Sequence, residues 1–132
     1  MKVRFFDRQN DGNPKNGAMI ETKEDLAKLL SGIDLDRSVF CELIGENGYN
    51  LLIGLSKDRG CAQHSRADGE LPYLMAVSNQ KAISDECFEF LLGGTPTPVP
   101  SRYCMPIDAV KKIACYFQSV GGICPDFSWE EV

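Results

Sequence analysis

The sequence predicts an α+β domain: a mostly antiparallel sheet, a meander of about five to six strands, with two main helices packed on it. Three observations predict it. Alternating apolar and polar residues recur in short runs through the middle of the chain, as strands require. The runs follow one another too closely for crossover helices, so neighbouring strands pair antiparallel. One early and one late segment instead carry apolar residues at helical spacing. The chain has 132 residues, 43% of them hydrophobic. That suits one domain over residues 1–132 with a single core.

Val3 to Phe6 is the first strand candidate. Asp7 to Gly17 is rich in turn formers, Asn10-Asp11-Gly12-Asn13-Pro14 above all, and reads as a loop. Thr22 is a candidate N-cap, with Asp25 three residues on in place of the usual Glu of a capping box. Leu26, Leu29, Leu30 and Ile33 then make one apolar helix face, which Gly32 stops. Val39, Cys41 and Leu43 alternate with Phe40, Glu42 and Ile44. Asn47-Gly48 follows as a two-residue hairpin turn with positive φ at both positions. Tyr49 to Leu55 returns as its partner, and Lys57-Asp58-Arg59-Gly60 makes the next turn. Cys61 to Arg66, Leu71 to Val77 and Cys87 to Leu92 read as further strands, with Asp68-Gly69 turning the chain after the first.

Gly93 to Pro100 holds Gly93, Gly94, Pro96, Pro98 and Pro100. It must be a loop or an extended edge, because proline cannot donate to a ladder. Tyr103-Cys104-Met105 is a brief return to the sheet. Pro106 suits the first position of the second helix. Ile107, Val110, Ile113, Ala114, Phe117 and Val120 form its apolar stripe, and Lys111, Lys112, Gln118 and Ser119 face away. Gly121 or Gly122 supplies a left-handed cap. Phe127 and Trp129 share the inward face of an extended segment, with Trp129 as core packing or as an interface anchor.

Composition excludes several classes. Charged residues are 25% of the chain, so disorder is not expected. No apolar run reaches the ~20 residues of a membrane span, and the N-terminus has no apolar stretch of secretory length. The net charge of -5 argues against nucleic acid as a direct ligand. It permits a basic protein partner. The six cysteines, at 41, 61, 87, 104, 115 and 124, lack close pairs, and most sit where a small apolar residue would serve. They read as free thiols in a reduced cytosol, and with a single histidine no metal site is expected.

No constellation carries catalysis. Cys61 and His64 would point to opposite faces of a strand, so they do not make a nucleophile pair. Gly93-Gly94-Thr95 lacks the lysine and helix of a phosphate loop. Acidic residues do gather in predicted sheet-end turns and at the C-terminus: Asp58, Asp68, Glu70, Asp85, Glu86, Glu130 and Glu131. Loops on a rigid scaffold commonly carry recognition. These seven are the candidate partner-binding residues.

From Met105 the chain runs Met105-Pro106-Ile107-Asp108-Ala109-Val110, passes through Tyr116-Phe117, breaks at Gly121-Gly122, and closes with Cys124-Pro125 and Trp129-Glu130-Glu131-Val132. Pro106, Ala109, Phe117, Gly121, Pro125, Trp129 and Glu130 stand in the order of the C-terminal signature of the Imm1 family of bacterial immunity proteins, which this segment resembles. The preceding order, including Leu91-Leu92-Gly93-Gly94 after an apolar strand, is similar too. One departure is Val120-Gly121, where the family pattern has Thr-Gly. The resemblance implies a small cytoplasmic protein encoded beside a polymorphic toxin, which in this family is often a nucleic-acid deaminase. It implies inhibition by stoichiometric binding over the toxin's active site or substrate track, with no enzymatic activity and no cofactor. A small-molecule or peptide-binding module, with a pocket between sheet and final helix, is the alternative. A cysteine-dependent enzyme is a third, requiring a depressed thiol pKa beside His64.

Overall fold

The computed structural model describes residues 1–57, 59–77, 87–92 and 94–132. In chain order the elements are β1 (Val3–Asp7), β2 (Ala18–Ile20), α1 (Lys23–Ser31), β3 (Val39–Gly45), β4 (Tyr49–Leu55), β5 (Gly60–Arg66), β6 (Leu74–Val77), β7 (Cys87–Leu92), β8 (Thr95–Pro100), α2 (Ile107–Val120) and β9 (Ser128–Glu131). The fold is α+β, as the sequence predicts. Among the described residues nine strands share one sheet, with antiparallel order β2-β1-β3-β4-β5-β6-β9. The exception to antiparallel pairing is β7, which meets β3 in parallel where Leu91 faces Val39. β1 pairs with β3 from Cys41 onward, so β1 and β7 share one edge of β3.

The expected meander is the centre of this sheet, β3 to β6. The additional strands are short or marginal. β2 takes three residues at the end of the turn-rich segment. β8 is the proline segment, and among the described residues it pairs only with β7, at an edge. Its prolines fall at alternate positions, so one side of the strand can carry all the missing N–H groups. Tyr103-Cys104-Met105 does not rejoin as a strand. Ser101–Tyr103 is a 3₁₀ turn, and Met105 forms a single bridge to Gly60.

Local chemistry explains most of the elements. Thr22 caps α1, its hydroxyl accepting the Asp25 N–H at 3.1 Å. Thr22→Ala should cost about 1 kcal/mol, read as a drop of a few degrees in a thermal melt. The β3–β4 turn differs from expectation. Ile44 pairs with Asn50, and only Gly48, at φ 85°, is left-handed. Asn47 instead uses its side chain to accept the Tyr49 N–H at 3.3 Å. The connection is therefore a three-residue loop with glycine at the left-handed position.

Helix α2 shows three corrections. Pro106 lies one residue before the helix, with an extended ψ of 146°, and its carbonyl accepts the Ala109 and Val110 N–H groups. Gln118 faces inward rather than away, because its side-chain amide donates to the Met1 carbonyl at 2.7 Å. Val120 is exposed, because the helix ends where the stripe would continue. Gly121 caps the helix at φ 77°, as expected.

The sheet is apolar on both faces. One face carries Val39, Cys41, Leu43, Leu51, Ile53, Leu55, Ala62 and Ala76, under α1 and α2. Leu26 and Leu30 from α1, and Val110, Ile113, Ala114 and Phe117 from α2, complete that core. The opposite face carries Phe40 and Cys61 in a second core with Phe90, Val99 and Cys104, under the β7–β8 hairpin. Phe40 and Phe90 meet at 5.4 Å between ring centroids. Trp129 packs half-buried on the helical core, and its indole N–H donates to the Cys124 carbonyl at 3.0 Å. No helix among the described residues is long and apolar enough to cross a membrane.

Candidate functional site

Three elements meet at the C-terminal end of α2. The Gly121 carbonyl is one of the helix's unpaired acceptors. It receives Asn47 Nδ2 from the β3–β4 loop at 3.1 Å and contacts His64 Nε2 from β5 at 3.3 Å. A carbonyl only accepts, so the neutral His64 ring carries its proton on Nε2. The ring is buried between Tyr49, stacked at 5.0 Å, and the edge of Phe117 at 5.7 Å.

Burial lowers the His64 pKa below the ordinary 6.5, partly offset by the Gly121 carbonyl, which favours the charged ring. The consequence for stability has a definite sign. Above pH 6.5 both folded and unfolded chains hold a neutral ring. Below it the unfolded chain takes up a proton that the folded chain resists, so stability falls as pH drops. The fall ends once the pH passes the folded pKa. Since the chain has one histidine, urea midpoints should decrease between pH 7.5 and 5.5, and His64→Gln should flatten that dependence.

The acidic residues singled out from sequence divide. Asp58, Asp85 and Glu86 lie outside the described residues. Asp68 and Glu70 occupy the β5–β6 turn, and Glu131 pairs with Leu74 at the start of β6, so these three share one end of the sheet. Asp68 accepts the Glu70 N–H at 2.9 Å and the Arg66 guanidinium at 2.6 Å, and the two hold its carboxyl below the usual range. Glu130 stands apart. It lies opposite Met75, and its carboxylate binds Arg102 and the Tyr103 hydroxyl.

Among the described residues an apolar cavity is present away from the space between sheet and final helix, where the first core packs. It is a groove of about 510 Å³ on the other face, between β4, β5, β6 and the proline strand. Phe40, Leu52, Cys61, Met75, Val99 and Tyr103 line it, and Gln63 and Thr97 offer polar groups. Sequence reasoning missed this groove. Its signal was present in Phe40 and Leu52, apolar residues that alternate along each strand with those of the first core.

The thiols of Cys41, Cys61 and Cys115 are not primed for chemistry. Cys61 lies in the second core and His64 beside the first, on opposite faces of β5. Burial pushes the Cys61 and Cys115 thiols up, and the Cys41 thiol up to about 12. Cys41, Cys61, Cys115 and Cys124 are free thiols. Among the described residues no group of histidine, cysteine or carboxylate side chains is placed to hold a metal ion. Compared with protein-family models and with curated proteins, the chain matches none.

Proposed function

We propose that this chain is a cytoplasmic immunity protein that binds and neutralises a cognate bacterial toxin, a nucleic-acid deaminase by the habit of the Imm1 family. The observation that carries this reading is the ordered set Pro106, Ala109, Phe117, Gly121, Pro125, Trp129 and Glu130. Four of them do identifiable structural work. Pro106 starts α2, Phe117 is fully buried, Gly121 makes the left-handed cap and Trp129 closes onto Cys124. A signature of this kind specifies an architecture rather than a reaction, which suits a protein that acts by occupying a surface. The net charge of -5 is complementary to the positive track a deaminase uses for its polyanion. Inhibition then follows from covering that track, with no chemistry by the inhibitor.

The test is growth rescue. The C-terminal domain of the protein encoded immediately upstream is expressed with and without this chain, and survivors are counted. Killing that this chain reverses supports the reading. Killing that it leaves untouched counts against it.

A second reading rests on the groove. Its volume lies within the range of ligand pockets, and its walls are almost wholly apolar with a few polar groups at hand. A small-molecule or peptide-binding module would use it. An apolar fluorescent probe should then bind the folded chain with saturation, and Met75→Glu should abolish that binding.

A further inference from the structure

Large apolar side chains stand exposed where the β3–β4 loop, the β5–β6 turn and the end of α2 converge. Tyr49 and Val120 are 40% and 58% exposed. Exposed apolar groups gathered in one place mark interaction sites, whereas scattered ones do not. Hydrogen bonds show that these are gathered. Ala67 N–H donates to the Gly48 carbonyl at 2.8 Å, tying the β5–β6 turn to the loop tip. Asn47 ties that tip to Gly121, the residue after Val120. Tyr49 is stacked on His64, which contacts the same Gly121 carbonyl. The patch is therefore held rigid by the fold, and little ordering remains to be done on binding.

Carboxylates surround it. Glu46 lies in the β3–β4 loop, and Asp68 and Glu70 in the β5–β6 turn, all exposed. Glu131 joins them because Val132 N–H donates to the Tyr73 carbonyl, and the Tyr73 hydroxyl to that of Gly69. Nearby cations include Arg66, which faces Asp68 at 2.6 Å, and Lys2, which faces Glu21 at 3.7 Å; Met1, with its chain-terminal ammonium, also packs beside Gly121. The rim therefore presents negative charge around an aromatic and aliphatic centre, the anatomy of an interface for a positively charged protein.

We infer that this end of the molecule is the docking surface for a basic protein domain, with Tyr49 and Val120 as its apolar centre and Glu46, Glu70 and Glu131 as its acidic rim. The inference rests on the immunity reading for the identity of that domain. It commits to a surface, which that reading does not.

The test measures binding of the full chain to the purified domain used in the rescue assay. Tyr49→Ala and Val120→Asp should each weaken binding at least tenfold, chiefly through faster dissociation. Val120→Asp alters an exposed helix end, so it keeps the test valid if Tyr49→Ala disturbs His64. Glu70→Lys with Glu131→Lys should slow association severalfold and flatten its salt dependence. Met19→Ser, which removes a similarly exposed apolar residue from β2 near the opposite edge of the sheet, should bind as the unaltered chain does. Folded variants that bind with unaltered affinity overturn the surface while leaving immunity intact. An unaltered chain that neither binds nor rescues overturns both.

Discussion

Phe117→Ala should destabilise the chain by about 3–5 kcal/mol, the usual consequence of removing a fully buried aromatic ring. Phe117 has no exposed surface and joins α2 to the sheet. Its ring meets His64 edge-on, and its tip lies 3.2 Å from where a Cβ on Gly45 would sit. The glycine in β3 leaves room first for Asn47 Oδ1 and the Tyr49 carbonyl, 2.6 and 2.9 Å from that point, and then for this ring. Alanine would leave a cavity walled by β-sheet backbone on one side and helix on the other, and neither side collapses easily. The loss is a large share of the ~5–15 kcal/mol that domains of this kind possess. It should lower the melting midpoint by about 10–20 °C. Phe117→Leu, which keeps most of the volume, should lose much less. Equal losses from the two variants would mean that the site has relaxed and that the ring does not key the helix to the sheet.

The same residue illustrates what the sequence makes legible. The period-two alternation of β3 and β4 and the helical spacing of α2 are local, so the central sheet and both helices can be read directly. Phe117 belongs to that pattern. Long-range pairings leave no such trace. Leu91 returns in parallel beside Val39, and nothing in the residues between announces which strand edge β7 will choose. The second core follows from that return, so the groove beneath β8 was not foreseeable in position, although Phe40 and Leu52 already made both faces of the meander apolar. Gln118 looked solvent-facing because its partner is the carbonyl of Met1, at the far end of the chain. The candidate surface was half legible. Asp68, Glu70 and Glu131 stood out as turn and terminal carboxylates. Tyr49 and Val120 did not, because by periodicity both belong to buried stripes. Each lies at the end of its element, where the opposing layer stops covering it.

Gly121→Ala should cost about 2–3 kcal/mol, while Gly122→Ala should change stability by less than about 0.5 kcal/mol. Adjacent glycines look interchangeable as helix stops, and the geometry separates them. At φ 77° an alanine at 121 is strained by about 1–2 kcal/mol before any contact is considered. Its Cβ would also lie 2.1 Å from Asn47 Nδ2 and 2.9 Å from Met1 Sδ. Asn47 must then swing away, and the Gly121 carbonyl loses one of its two donors. At 122 the backbone is ordinary and the space around it is open. The two contributions at 121 can be separated by a double-mutant cycle. In an Asn47→Ala background the collision with the amide is gone, so Gly121→Ala should retain only the backbone strain. A cycle that is strictly additive would remove the clasp from the account and leave the glycine acting through its conformation alone. If the clasp does position Tyr49 and Val120, folded Gly121→Ala protein should also bind the basic domain more weakly than Gly122→Ala protein. That comparison connects a glycine the fold requires to the surface it sets in place.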